Sequence, residues 1–231
     1  MQRALHLWSI ATQASKEVIM TDTPVLYGFD GSTYVRTVRT VLAKKGISYT
    51  QVPVNVLTGE TRTPEHLARH PFGKVPVLDI DGMRLRETEA ICRYLDDRTP
   101  HPSVVPADTK DRALMTEVIN MIGSYGYSAM LGGVAAYHLF PDFVGGRNDE
   151  ARAKGLVDSR TLLTLIMEIR GDRTWIAGDR PSIADYLLGP IVFYLSLTPD
   201  AAELLAIPGM TAWWEALNAD QDFVGSAPDL G

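Results

Sequence analysis

The chain has 231 residues, of which 45% are hydrophobic and 22% are charged, as is typical of a globular protein with a sizeable core. Its formal net charge is −6, which excludes a basic surface that holds nucleic acid. The single cysteine, Cys92, allows no internal disulfide and fits a reducing compartment. No apolar run reaches the roughly 18 residues of a membrane span. We therefore expect a cytoplasmic protein with neither nucleic acid nor a membrane as a partner.

Residues 1–22 precede the first strand signal. They hold one short apolar patch, Leu5–Ile10, and lack the longer apolar stretch and small-residue cleavage site of a secretory signal. We expect a poorly ordered N-terminal extension, with Met20 as a natural place for translation to begin.

Residues 24–97 alternate between strand and helix patterns. The first helix has Ser32 at its N-cap, lysines in its last turn and Gly46 just past its end. The Asp81-Gly82 pair between two apolar runs is a strong hairpin signal. The first two strands should be parallel, and the hairpin should add an antiparallel edge. The predicted elements are strand 24–28, helix 32–45, strand 49–54, helix 64–70, strands 75–80 and 83–85, and helix 87–97.

Only helical patterns follow the proline-containing linker at residues 99–107. Residues 108–140 are predicted as one long helical region that glycines interrupt, and further helices are predicted over 149–169, 182–197 and 208–219. The sequence therefore predicts an α/β domain over residues 23–98 and an all-helical domain over residues 108–231.

Ser32 is the first candidate site residue, because it lies between a strand end and a helix start. A helix N-terminus stabilises an anion, so a hydroxyl at this point could hold a thiolate. An N-cap role alone would also explain the serine. No G-x-S-x-G motif surrounds it, which excludes a hydrolase nucleophile elbow.

Pro76 opens an apolar strand, an unusual position for proline away from an edge or a turn. A cis Val75–Pro76 bond would explain it and would leave the Val75 backbone free to pair with an extended peptide. A trans bond is the alternative.

Glu87 and Thr88 begin a predicted helix and form the third candidate site. The carboxylate of Glu87 would bind an ammonium group, while the Thr88 hydroxyl and the helix N–H groups would bind a carboxylate. The pair could therefore hold both charges of a zwitterion. An acidic first turn with a capping threonine is the alternative.

The other notable residues have structural interpretations. Ser182 and Asp185 fit a capping box in which Asp replaces the usual Glu or Gln. Cys92 is predicted to lie in the core. Most tyrosines and methionines of Met115–Met130 are predicted as core, although some could line an acceptor pocket. The histidines lack the spacing of metal ligands, so we predict no metal.

Together these segments resemble the glutathione transferase family. PEHLARHPFGKVPVLDIDGMRLRETEAICRYL follows its cis-proline motif and its Glu-Ser/Thr pair, and WIAGDRPSIADYLLGP resembles its second-domain signature. YGFDGSTYVRTV looks most like the serine-using classes, particularly the plant phi-type enzymes and their bacterial relatives. The resemblance implies a thioredoxin-like domain of order βαβαββα that binds glutathione, followed by an all-helical domain that binds an electrophile.

By this resemblance Ser32 would be the catalytic hydroxyl. The alternative is Tyr27, at the strand end where tyrosine-using classes keep their catalytic phenol. Phi-type enzymes usually carry His where this chain has Thr61, so a glutathione contact from Thr61 stays open. The implied glutathione-binding residues are Val75 for the cysteinyl backbone, Glu87 and Thr88 for the γ-glutamyl end, and Arg62 and Lys74 for the glycine carboxylate.

The resemblance implies a detoxifying glutathione transferase, with glutathione as co-substrate and a small hydrophobic electrophile as acceptor. It also implies a homodimer, in which the first domain of one subunit packs on the helical domain of the other. One alternative is a non-catalytic glutathione-transferase-like regulatory or assembly module. Another is a glutathione-dependent peroxidase or reductase, although no cysteine occupies Phe29–Thr33 as a cysteine-dependent reductase would require.

Overall fold

The computed structural model describes residues 23–229, and the extension predicted over residues 1–22 lies outside this range. The first half of the described chain has the predicted βαβαββα order, with a short 3₁₀ helix, Glu60–Arg62, before the second α-helix. Its elements are β1 (Val25–Tyr27), α1 (Thr33–Lys44), β2 (Thr50–Val52), α2 (Pro64–Arg69), β3 (Val77–Ile80), β4 (Met83–Arg86) and α3 (Thr88–Arg98).

These strands form one mixed sheet in the order β2-β1-β3-β4. β1 pairs in parallel with β2 and antiparallel with β3, which confirms both predicted pairings. The hairpin between β3 and β4 turns at Asp81 and Gly82, whose φ angles are 51° and 73°. Both residues have positive φ, as a tight two-residue hairpin turn requires.

The second half of the described chain is helical, and no strand occurs between residues 108 and 229. Among residues 23–229, no helix is both long and apolar enough to cross a membrane. The elements are α4 (Thr109–Met121), a π-helix (Ile122–Ala135), α5 (Ala136–Leu139), a 3₁₀ helix (Pro141–Val144), α6 (Asp149–Arg170), α7 (Ile183–Ser196), α8 (Ala201–Leu205), α9 (Met210–Asn218) and α10 (Gln221–Gly225).

The prediction that glycines interrupt the helix over residues 108–140 was wrong. The helix runs without a break from α4 through the π-helix into α5. A Cβ on Gly133 would lie 3.0 Å from the Cα of Gly155 in α6, and a Cβ on Gly126 would lie 2.5 Å from the Leu162 side chain. These two glycines therefore serve the close packing of the π-helix on α6.

One buried core joins the two halves, because α1 packs on α3 and on α7. Cys92 lies in this core with no exposed surface, and burial raises the pKa of its thiol. The predicted core position of Cys92 is thus confirmed, and the protonated thiol is unreactive.

The predicted capping box begins α7, where the buried carboxylate of Asp185 accepts both the N–H and the hydroxyl of Ser182 at 2.8 Å. Asp185 also accepts the Ile176 N–H at 3.0 Å and the indole N–H of Trp213 at 2.9 Å. A single side chain therefore joins the start of α7 to the preceding loop and to α9.

Candidate functional site

A cleft of about 1620 Å³ opens between the sheet-containing half and the helical half. Its first wall consists of the loop after β1, the N-terminus of α1, the loop before β3 and the N-terminus of α3. Its second wall includes the end of α4, the π-helix, α5 and α7. A large concave site of this kind is where a small-molecule ligand is expected to bind.

Ser32 lies in the first wall as the N-cap of α1. Its Oγ accepts the Val35 N–H at 3.4 Å, and its own backbone N–H donates to the Phe29 carbonyl at 3.1 Å. The Ser32 hydroxyl hydrogen makes no hydrogen bond within residues 23–229, so it is available to a ligand. The first turn of α1 carries no acidic residue, which leaves the partial positive charge of the helix N-terminus unneutralised.

Val75 lines the same wall, and the Val75–Pro76 bond is cis. The backbone N–H and C=O of Val75 make no hydrogen bond with any residue in the described range. The preceding residue, Lys74, is held through its carbonyl, which accepts a hydrogen bond of 2.9 Å from Nε2 of His66. An extended ligand could therefore pair with the Val75 backbone as an added strand would.

Glu87 precedes α3 and has a φ of 67° and a ψ of 116°. Residues other than glycine rarely adopt a positive φ, and backbone strain of this kind is concentrated at binding sites. The Glu87 side chain is exposed to the cleft, whereas that of Thr88 is 8% exposed. Both residues are thus next to the N–H groups at the start of α3.

Thr61 and Arg62 line the cleft from the short 3₁₀ helix before α2. The Arg62 guanidinium donates to the Phe72 carbonyl at 3.4 Å. Gly73 has a φ of 60°, and a Cβ there would lie 2.7 Å from the Thr61 carbonyl oxygen. This close approach brings the Arg62 side chain to the same end of the cleft as Lys74.

Tyr27 is the one predicted site residue that does not line this cleft. Its ring lies under the Arg69 guanidinium, 4.4 Å from the ring centroid. Its phenol contacts Asp79, whose pKa is lowered chiefly by Arg84 and further by the hydrogen bond from Tyr27. These neighbours belong to α2, β3 and β4, so the ring faces α2.

Aromatic side chains dominate the other half of the cleft. The rings of Tyr34 and Tyr127 stack with centroids 4.8 Å apart, and Phe140 packs edge-on against Tyr194 at 5.4 Å. The Tyr194 hydroxyl donates to the Gly31 carbonyl at 2.7 Å, which ties α7 to the loop before α1. This half is suited to an apolar or aromatic ligand.

The sequence did not identify His70 or Arg93 as cleft residues. His70 is 3% exposed, its Nδ1 has no hydrogen-bond partner within residues 23–229, and burial lowers its pKa. Arg93 donates to Glu89 and to Thr116, each at 2.8 Å. The spacing of Glu89 and Arg93 by four residues predicts their ion pair but not its position in the cleft.

No group of three or more His, Cys, Asp or Glu side chains between residues 23 and 229 is arranged to hold a metal ion.

Comparisons with known proteins agree with this architecture. Residues 26–103 match the family model of the glutathione S-transferase N-terminal domain, and residues 129–220 match that of the C-terminal domain. "Glutathione S-transferase 1" of Zea mays is 32% identical over 196 residues, which cover 83% of this chain and 90% of the maize protein. "Maleylacetoacetate isomerase" of Pseudomonas aeruginosa is 32% identical over 173 residues, which cover 73% and 79% of the two chains.

A solved structure of glutathione S-transferase I from maize, in complex with an atrazine glutathione conjugate, superimposes with a TM-score of 0.77. It is 28% identical, and the match covers 89% of this chain and 96% of the maize chain. The fold class is therefore a thioredoxin-like domain followed by a helical domain, as predicted. The chain belongs to the glutathione S-transferase family and is a glutathione transferase enzyme.

Proposed function

We propose that this enzyme joins the thiolate of glutathione to a small hydrophobic electrophile, with Ser32 as its catalytic hydroxyl. A free thiol has a pKa of about 8.5, and lowering it by about two units requires roughly 2.7 kcal/mol. A hydrogen bond from Ser32 to the sulfur is worth about 1.5–3 kcal/mol, and the N-terminus of α1 adds about 0.3–2 kcal/mol. Together they supply about 1.8–5 kcal/mol, a range that includes the roughly 2.7 kcal/mol needed to ionise most of the bound thiol at neutral pH.

Charge complementarity supports a binding mode for glutathione, which carries one ammonium and two carboxylate groups. Glu87 would bind the ammonium, and the Thr88 hydroxyl with the N–H groups of α3 would bind the neighbouring carboxylate. The Val75 backbone would pair with the cysteinyl unit.

Arg62 and Lys74 would bind the glycine carboxylate at the other end of the peptide, because both cations line that end of the cleft. Thr61 is the further candidate contact at this end. One observation carries the proposal: Ser32, Val75 and the residues proposed to bind the two ends of glutathione all line the same cleft.

The aromatic half of the cleft supports an apolar acceptor. The arginine and lysine side chains that line the cleft lie on the 3₁₀ helix, on the loop before β3 and on α3, whereas the aromatic pair of Phe140 and Tyr194 belongs to the helical half. A dicarboxylate acceptor, such as the compound named for the Pseudomonas aeruginosa isomerase, would require cations in that half. The atrazine conjugate in the maize structure is an example of an apolar acceptor.

We also propose the coarse organisation implied by the resemblance. The glutathione-binding domain would span residues 23–98, a linker residues 99–107 and the electrophile-binding domain residues 108–231. The enzyme would be a cytoplasmic homodimer that acts in detoxification. Light scattering at micromolar concentration tests the assembly: a mass near twice 25.4 kDa supports the dimer, and a mass near 25.4 kDa contradicts it.

Binding calorimetry with glutathione tests the proposed peptide site. Glu87→Ala should weaken glutathione binding by about tenfold to a hundredfold, because it removes a charge-assisted partner of the ammonium. Glu65→Ala is the matched control, since that carboxylate is 77% exposed and pairs with Arg69 outside the cleft. Equal affinities for the two variants would contradict the binding mode. Glutathione binding without turnover of any electrophile would favour the non-catalytic alternative instead.

A further inference from the structure

Tyr34 lines the cleft from the first turn of α1, two residues after Ser32. Its ring is half-buried and stacks on the ring of Tyr127, with centroids 4.8 Å apart and planes at 24°. This stacking holds the ring in place, but the Tyr34 phenol makes no hydrogen bond within residues 23–229. The phenol is therefore available to a ligand, as a donor through its hydrogen or as an acceptor through its oxygen.

The Glu87 carboxylate lies close to this phenol, where α3 packs on α1. Burial contributes most to the raised pKa of Tyr34, and the Tyr127 phenol and the Glu87 carboxylate raise it further. The Tyr34 phenol is therefore protonated at neutral pH and lies beside a negative charge. Burial lowers the pKa of the neighbouring His70 by more than Glu87 raises it, so the His70 ring is also neutral.

The negative charge of Glu87 is not neutralised by a partner in the described part of the chain. Its side chain is exposed to the cleft and caps no N–H group. Asp30 and Glu89 also line the cleft, but each forms an ion pair with an arginine, at 3.2 and 2.8 Å. Arg86, which precedes Glu87, does not line the cleft and donates to the Arg69 carbonyl at 2.6 Å. A free carboxylate beside a free phenol is suited to a cation that donates hydrogen bonds to both.

We propose that Tyr34 binds the ammonium group of glutathione together with Glu87, with the Tyr34 phenol oxygen as a hydrogen-bond acceptor. This inference rests on the proposed function, in which Glu87 binds that ammonium, and it adds a specificity-determining residue from α1. An ammonium group has three N–H donors, so it can use a second acceptor beside the carboxylate. The charge of Glu87 favours a cation over an anion at this phenol.

Two analogues of glutathione and one conservative variant test the inference by binding calorimetry. Glutaryl-cysteinyl-glycine lacks the ammonium and keeps the carboxylate, whereas 4-aminobutyryl-cysteinyl-glycine keeps the ammonium and lacks the carboxylate. Tyr34→Phe keeps the ring that stacks on Tyr127 and removes only the hydroxyl. It should weaken the binding of glutathione and of the aminobutyryl analogue by about fivefold to twentyfold, and that of the glutaryl analogue by less than about twofold.

Tyr125→Phe is the matched control, because Tyr125 is 67% exposed and does not line the cleft, and it should change none of the three affinities. An equal loss for all three ligands in Tyr34→Phe would overturn the inference, because Tyr34 would then act only by packing on Tyr127. A loss for glutathione and the glutaryl analogue alone would overturn it too, because the phenol would then bind the carboxylate. Unchanged affinity for glutathione would also overturn it.

A second measurement applies if Tyr34→Phe fails to fold. The trimethylammonium analogue of glutathione keeps the positive charge but donates no hydrogen bond from that nitrogen. The unaltered enzyme should bind this analogue at least about tenfold more weakly than glutathione, and equal binding would overturn the inference. Failure of the unaltered enzyme to bind glutathione at all would instead contradict the proposed function.

Discussion

Replacing Asp185 with Ala removes the carboxylate that joins α7 to the preceding loop and to α9. The side chain has no exposed surface and accepts four hydrogen bonds, three of them from N–H groups. The fourth donor, the Ser182 hydroxyl, can rotate toward another acceptor, but the three N–H groups are fixed. Asp185→Ala would therefore leave three buried donors without a partner.

The expected loss of stability follows from these three donors. Each buried donor without a partner costs about 1–3 kcal/mol, or roughly 3–9 kcal/mol for the three. Burial raises the pKa of Asp185, so removing the carboxylate also removes the cost of burying a charge. We expect a net loss of about 3–5 kcal/mol in the free energy of unfolding.

Chemical denaturation and thermal melting measure this loss. For a protein of this size, about 3–5 kcal/mol corresponds to a melting temperature lower by roughly 6–20 °C. Asp185→Asn should lose about half as much, because the amide keeps one acceptor oxygen. Asp179→Ala in the neighbouring loop is the control, since that side chain is 85% exposed and should contribute less than about 0.5 kcal/mol. A loss below about 1 kcal/mol for Asp185→Ala would refute the reasoning.

Two further predictions concern packing and pH. Gly155→Ala should lower the free energy of unfolding, measured by chemical denaturation, by about 1–3 kcal/mol, because the added Cβ would lie 3.0 Å from backbone atoms of the π-helix. Gly132→Ala is the control, since a Cβ there would have no atom within 4 Å, and it should cause no loss. Burial raises the pKa of Asp220, but hydrogen bonds from Tyr186 and Lys44 lower it by more. The ionised carboxylate therefore stabilises the fold above about pH 4, and this stabilisation is lost as the pH falls further. The free energy of unfolding, measured against pH, should decrease less steeply in acid for Asp220→Asn than for the unaltered protein.

Local patterns predicted most of the fold. Ser32 as an N-cap and the Asp81-Gly82 turn are decided by neighbouring residues, so the start of α1 and the β3–β4 hairpin were predicted within one or two residues. The helices α8 and α10 were not predicted, because each has only five residues and too few turns for a periodic pattern. The glycines of the long helix were misread for a similar reason: whether a glycine breaks a helix or packs it against a neighbour depends on tertiary contacts.

The candidate site was predicted through motifs more than through geometry. Val75 stood out because a proline at a strand start is unusual, and Glu87 stood out because a carboxylate followed by a hydroxyl at a helix start can bind a zwitterion. Tyr127 was predicted only as one of several residues in Met115–Met130 that are mostly core, and His70 was considered only as a metal ligand. Their positions in the cleft depend on the π-helical register and on the turn before β3, which no periodicity in the sequence encodes.

The pKa of the glutathione thiol bound to the enzyme tests the central claim most directly, through the ultraviolet absorbance of the thiolate. We predict a thiol pKa about two units below that of free glutathione in the unaltered enzyme. In Ser32→Ala this pKa should rise by about one to two units, because only the contribution of the α1 N-terminus remains. Turnover in Ser32→Ala should fall by about tenfold to a thousandfold while glutathione affinity changes much less. A low thiol pKa that persists in Ser32→Ala and is lost in Tyr27→Phe would contradict the account.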